Sequence, residues 1–212
     1  PLTGLVDHVR PAALLIWAVL NYRRPILAGI FLGLAAGVVY YPLFLLPIWI
    51  SFYWKRGLGR LIVGFVLSLV VLTVGLALFS PGDSLWGDIQ RMFGLMRPAM
   101  LNLQGIWNTS IGGWEPVYRL PVLAAFIVLS GSLAIWPPQK NLGTLLCCSA
   151  AVMLASQFWH GFGGGLYMAW WVPLALLTVF RPNLEDRVAE NVLLEGWLPR
   201  RRTTLPAAQR AA

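Results

Sequence analysis

Charge is scarce in this sequence. Lys, Arg, Asp and Glu make up 11% of its 212 residues, where a soluble domain carries roughly 25%. So few ionic groups cannot cover a water-facing surface. The 58% hydrophobic content and the mean hydropathy of +0.70 point the same way. Several uncharged runs approach or exceed the roughly 17 to 25 residues that span a bilayer. Composition therefore predicts an all-α, polytopic transmembrane helical bundle with about six to seven membrane segments.

Cysteine is nearly absent too. Cys147 and Cys148 are adjacent inside an apolar run. Neighbours on a helix point to different faces, which argues against a disulfide or a metal pair and for small packing residues. Histidine occurs only at His8 and His160, with no Cys or carboxylate at ligand spacing, so no metal site is expected. No GxSxG, phosphate-binding glycine loop or dinucleotide fingerprint is present. The run Gly163-Gly164-Gly165 lacks the strand-then-helix context that would give it meaning. No cofactor is expected. Repeats, low-complexity segments and a soluble domain are also missing. The chain begins at Pro1 without a signal-peptide shape, and the apolar run over 11–20 is too short to span alone. The expectation is a C-terminal part of a longer membrane protein.

What charge there is has a pattern. The net charge is +8, and the cations gather at the ends of apolar runs and in the tail, as in the positive-inside rule. That distribution points to membrane lipids and away from nucleic acid. Trp54, Trp86, Trp136 and Trp159 stand at run ends, as interfacial belts do. Residues 1–181 are read as the transmembrane domain, with an outer loop over 81–120. Residues 182–212 are read as a basic cytoplasmic tail, expected to be poorly ordered.

One stretch organises the rest: Ala28 to Pro47, AGIFLGLAAGVVYYPLFLLP. It is charge-free and is broken at Tyr40-Tyr41-Pro42, since proline removes a backbone donor and disfavours helix just before it. Within a bilayer such a break persists only where protein or a wet cavity satisfies the freed groups. Ahead of the break, Ala28, Gly29, Gly33, Ala35, Ala36 and Gly37 allow close approach of another helix. The plainer reading is two ordinary membrane helices with a turn at Pro42. A cytoplasmic tail places 55–60 inside and the loop 83–120 outside. Arg23 and Arg24 then lie outside if 26–54 crosses once, or inside if it goes out and returns. The charge rule favours the return. Tyr40, Tyr41, the loop and the 159–165 corner would then share the outer face.

The outer loop mixes Asp88, Arg91, Arg97, Asn108, Glu115 and Arg119 with Trp86, Met92, Phe93, Leu95, Met96 and Met100, a mixture that suits an amphipathic helix on the membrane surface. Arg91 and Arg97 either hold a lipid phosphate through forked hydrogen bonds or are ordinary interfacial cations. His160 either transfers protons or binds a phosphate group, or is simply solvated.

The residues Ala28-Gly29, Gly33 and Ala35-Ala36, followed by Tyr41-Pro42 and Pro47, resemble the integral-membrane glycosyltransferases of family 87, GT-C-type enzymes related to polyprenyl-phosphate-dependent mannosyltransferases. Asn108-Thr109-Ser110 is similar to that family's Asn-x-Ser. Trp159-His160 is similar to its Trp-x-His-like corner, and Pro173 with Arg181-Pro182 to its C-terminal end. Two positions depart. Val39 stands where the family carries a lysine, and no residue here matches its catalytic aspartate. That role is not transferred to Asp83 or Asp88.

The resemblance implies transfer of a mannose-like sugar from a polyprenyl-phosphate donor to a glycan or glycolipid acceptor at the outer face of a bacterial inner membrane. An aspartate would be the general base. It gives this chain no catalytic residue and assigns substrate or donor binding to Tyr40, Arg97, Asn108, Trp159 and His160. The chain is expected to be inactive alone. The competing readings are a transporter or flippase, which would have broken helices but also the buried ionisable residues that these runs lack, and a non-catalytic membrane subunit.

Overall fold

The charge-free block folds in two pieces around its proline. In the computed structural model, which describes residues 3–79, 85–93, 103–136, 141–161 and 168–180, helix α2 covers Pro25–Val38. It stops at Val39, which is extended. A short 3-10 helix, Tyr41–Leu45, carries Pro42 in its first turn, and α3 follows over Leu46–Tyr53. The described residues are helical or irregular, without a strand. The other helices are α1 (Thr3–Leu20), α4 (Leu58–Phe79), α5 (Leu85–Met92), α6 (Arg119–Ile135), α7 (Leu142–Trp159) and α8 (Val172–Phe180).

Small residues set how α2 packs. A Cβ on Gly29 would collide with the backbone of Leu61, one on Gly33 with Ser68 and the Phe65 carbonyl, and one on Gly64 with the Ile26 carbonyl. The α2 and α4 backbones therefore touch. Ala28, Ala35 and Ala36 are fully buried beside them. Close backbone approach is how helices gain dispersion contact where lipid tails remove the hydrophobic drive between them.

The order of these contacts gives direction. Ile26 meets Gly64, Gly33 meets Ser68, and Gly37 meets Leu72, so α2 and α4 run parallel. Two parallel helices both entered from one side require the chain between them to come back. Residues 39–53 make that return, and Tyr53 Oη donates to the Tyr22 carbonyl at 2.6 Å, beside the start of α2. The out-and-return path favoured by the charges is the one observed. Its two arms rest mainly on different partners: α2 packs on α1 and α4, while α3 packs chiefly on α6 and α7.

The bundle thus has two unlike ends. Arg23, Arg24, Lys55, Arg56 and Arg60 collect at one, where Gly57 lies against Pro25. Tyr40, Tyr41, Trp159 and His160 meet at the other. The turn at Tyr40 is recessed. Gly37 lies level with Leu72, and α4 continues to Phe79, about 10 Å further at 1.5 Å per residue.

Among the described residues, three helices are long and apolar enough to cross a membrane: Leu58–Phe79, Pro116–Ile135 and Leu142–Trp159. Three apolar helices are shorter: Val9–Leu20, Pro25–Val38 and Tyr41–Tyr53. Along α4, Val63, Val66, Val70, Val71, Val74 and Leu78 face outward, as a lipid-facing stripe does. Trp54, Trp86 and Trp136 are exposed near helix ends, where belts form. Cys147 is exposed and Cys148 buried, as adjacent positions on α7 require. The expected surface helix in the outer loop corresponds to α5, with Leu95, Met96 and Met100 outside the described residues. The tail 182–212 and the glycines 163–165 also lie outside them.

Candidate functional site

The end of α7 builds the site. The last carbonyls of any helix have no partner within it, and here three groups from the 103–119 segment supply them. Trp107 Nε1 donates to the Phe158 carbonyl at 3.1 Å. Arg119 donates to the Trp159 carbonyl through Nη2 at 3.1 Å and Nε at 3.4 Å. The Gln104 amide donates to the Gly161 carbonyl at 2.9 Å. A loop distant in sequence therefore caps α7 and fixes Trp159 and His160.

Arg119 is the centre of that cap. It is 3% exposed and lies over the Trp159 ring, 5.3 Å from its centroid, a favourable cation–π placement. A cation in the first turn of its own helix, α6, opposes that helix's dipole. The negative end of α7 beside it offsets the cost. Gly161 closes over the guanidinium, since a Cβ there would come within 2.9 Å of Nη2 and 2.6 Å of Leu103.

The broken block brings the other half. Tyr41, 1% exposed, sits under Trp159, His160 and Trp170, with ring centroids 6.0, 5.3 and 5.2 Å away. Tyr40 lies 4.2 Å from Tyr41 and 6.3 Å from Trp159, edge-on to the latter. Edge-to-face geometry suits the ring quadrupoles. Polar groups run through this stack: Tyr40 Oη bonds to Tyr41 Oη at 2.8 Å, and Tyr41 Oη bonds to His160 Nδ1. Both phenols lie within electrostatic reach of Arg119. Tyr40, Trp159 and His160 are half-exposed, whereas Tyr41, Trp170 and Arg119 are buried behind them. The site is thus an aromatic cluster with an imidazole among its half-buried members and a positive charge behind them.

Of the residues singled out from sequence, Tyr40, Trp159 and His160 come together. Asn108 serves the neighbouring loop. Its side-chain oxygen accepts from the Ser110 amide at 3.0 Å, and its carbonyl accepts from Gly113 at 2.9 Å. This folds the segment whose Trp107 caps α7. Arg97 lies outside the described residues. Trp159, read as a belt residue as well, belongs to the site. Sequence reasoning grouped Tyr41 and Arg119 with these residues without giving them a binding role, and did not select Trp170. Arg119 was detectable as a lone cation opening an apolar span, and Tyr41 as the residue before the break's proline; nothing marks Trp170 among the apolar residues around it. Among the described residues no three His, Cys, Asp or Glu side chains converge to hold a metal ion.

Compared with models of protein families, with curated proteins and with solved structures, the chain matches none of them.

Proposed function

We propose that this chain binds a lipid-linked sugar phosphate at its aromatic end and contributes that site to a glycosyltransferase, with a mannose-like sugar on a polyprenyl-phosphate donor. One observation carries the reading: half-buried Tyr40, Trp159 and His160 cluster beside the buried cation Arg119, recessed along apolar helices. Sugars present C–H faces that pack on aromatic rings, phosphates are drawn to positive charge, and a polyprenyl tail needs an apolar flank. The exposed apolar faces of α4 and α6 beside the site offer one.

In this reading the three shorter apolar helices are embedded with the three long ones. The cation-rich end faces the cytoplasm by the positive-inside rule, and the aromatic end faces the outside of a bacterial inner membrane. An acceptor glycan or glycolipid approaches from there. Broken helices that serve transporters place ion sites at the bilayer middle. The break here instead adjoins the capped end of α7, which favours donor binding over transport.

The test is binding of polyprenyl-phosphate mannose to the purified chain in lipid nanodiscs, read by native mass spectrometry against a phospholipid background. Trp159→Ala is expected to weaken binding about tenfold, the size of one lost aromatic contact. Wild-type binding no stronger than background overturns the proposal. Movement of the lipid across sealed vesicles would transfer the site to a flippase.

A further inference from the structure

The segment from Gly105 to Tyr118, which closes the aromatic end, has little of what a water-facing connection carries. Glu115 is its only charged residue, whereas the connection over 54–60 at the opposite end holds Lys55, Arg56 and Arg60 in a shorter stretch. Ile106, Ile111, Trp114, Val117 and Tyr118 are exposed, Ile111 at 75% and Trp114 at 67%. Exposed apolar groups gathered in one place mark a surface that something covers. The segment is nonetheless folded. The Trp114 amide donates to the Ile106 carbonyl at 2.8 Å, and the Trp114 and Tyr118 rings meet edge-on at 6.2 Å. The amides of Ile111, Gly112 and Tyr118 donate to the carbonyls of Asn108, Thr109 and Glu115 at 3.3, 3.2 and 3.0 Å. A loop that pairs its own amides can leave water at low cost.

Helix length sets its depth. From Arg119 to Ile135, α6 rises about 24 Å at 1.5 Å per residue, less than the roughly 30 Å of a hydrocarbon core. The 3-10 turn Pro116–Tyr118 supplies roughly the missing 6 Å at its steeper rise, and any tilt shortens the reach. Trp114 then falls at the hydrocarbon edge, where Trp and Tyr concentrate. The apolar surface runs on from there, because Val117 and Tyr118 lead into the exposed Leu120, Ile127 and Val128 of α6.

We infer that residues 105–118 form a membrane-inserted collar. Ile106, Ile111, Trp114, Val117 and Tyr118 are seated among phospholipid chains at the headgroup boundary of the leaflet at the aromatic end. Gln104 and Trp107 tie the collar to the end of α7, so it holds Tyr40, Trp159 and His160 at headgroup depth, where a ligand arrives along the bilayer. The inference requires the helices to cross a membrane and is independent of which ligand the aromatic cluster takes.

Depth is read by fluorescence on the full chain in phosphatidylcholine nanodiscs. In a Cys147→Ser, Cys148→Ala background, an NBD label is attached at Ile111→Cys and, separately, at Val117→Cys. Val71→Cys on the outward face of α4 is the lipid reference, and Lys55→Cys is the water reference. Both loop labels should resist aqueous iodide several-fold better than the Lys55→Cys label. They should also be quenched more by lipid spin-labelled near the headgroup than by lipid spin-labelled near the chain end. Iodide quenching equal to that at Lys55→Cys overturns the inference. Resistance to iodide without quenching by either lipid overturns it too, and gives the face to a second protein chain. A measurement on the unsubstituted chain covers any failure of the variants to fold. A phospholipid with a diazirine near its headgroup is photo-crosslinked in the same nanodiscs, and the sites are mapped by mass spectrometry. Crosslinks within 105–118 are expected. Crosslinks on α4 and α6 with none in that segment overturn the collar. Neither experiment contains a sugar donor, so failure here leaves the proposed binding function to its own test.

Discussion

The seam between α2 and α4 and the junction at the end of α7 solve the same problem by opposite means. Both must hold apolar helices together where burying more apolar surface gains little. At the seam, side chains are removed: Gly29, Gly33 and Gly64 let one backbone rest on the other. At the junction, side chains are added: Arg119, Trp107, Tyr41 and Trp170 fill the space with rings and hydrogen bonds. The polar side chain at the seam, Ser68, turns its hydroxyl to the Phe65 carbonyl at 2.7 Å. The junction cannot avoid presenting polar groups, because capping carbonyls in an apolar setting requires strong donors. Structural need and a candidate binding site coincide there.

Enlarging the seam should have the largest effect. Gly64→Leu or Gly29→Leu meets backbone on the opposite helix, which cannot yield as a flexible side chain can. Destabilisation of about 3 kcal/mol or more is expected, read as loss of folded monomer on size exclusion in detergent. Normal yield and melting for both would mean that the seam is not tightly packed.

Next comes the cap. Arg119→Ala leaves the Trp159 carbonyl buried without its donors and removes the ring contact, a loss of about 2 kcal/mol. Arg119→Lys should recover only part of it, since an ammonium lacks the planar fork. Thermal unfolding of the two variants measures the difference. Equal stability of Lys and Arg proteins would reduce the residue to a point charge.

A smaller effect is expected from Tyr53→Phe, which deletes a single bond to the Tyr22 carbonyl. About 1 kcal/mol is the usual net value, visible as a modest fall in melting temperature. Asn108→Ala removes the acceptor for the Ser110 amide in an exposed turn, so stability should change by about 0.5–1 kcal/mol. Its consequence for the site should be indirect, through Trp107, and Trp107→Phe should weaken binding at least as much.

Least of all is expected from the outward faces. Gly131→Ala on α6 and Val71→Ala on α4 meet open space, and both should stay within about 0.5 kcal/mol of the parent. A large loss from either would show that a protein surface rather than lipid covers that face, and would redraw the boundary between packed and unpacked helices.

Sequence by itself determined the helical, apolar character of the chain, the break at Tyr40-Tyr41-Pro42 and the small-residue face that α4 occupies. Each depends on local rules: charge scarcity, the missing donor of proline, the absent Cβ of glycine. Even the return path was legible, because Arg23, Arg24 and the cations over 55–60 favour one side. Half of the site was legible as well, since Tyr40, Trp159 and His160 stand out as polar or aromatic groups at run ends. Tertiary structure alone decided that these meet, and that Arg119 lies behind them. His160 and Tyr41 are 119 positions apart, and Arg119 reaches across 40. No local periodicity carries information over such distances. What joins them is the unmet hydrogen-bonding capacity at the end of α7, which any strong donor could have satisfied, and only the folded chain shows which one does.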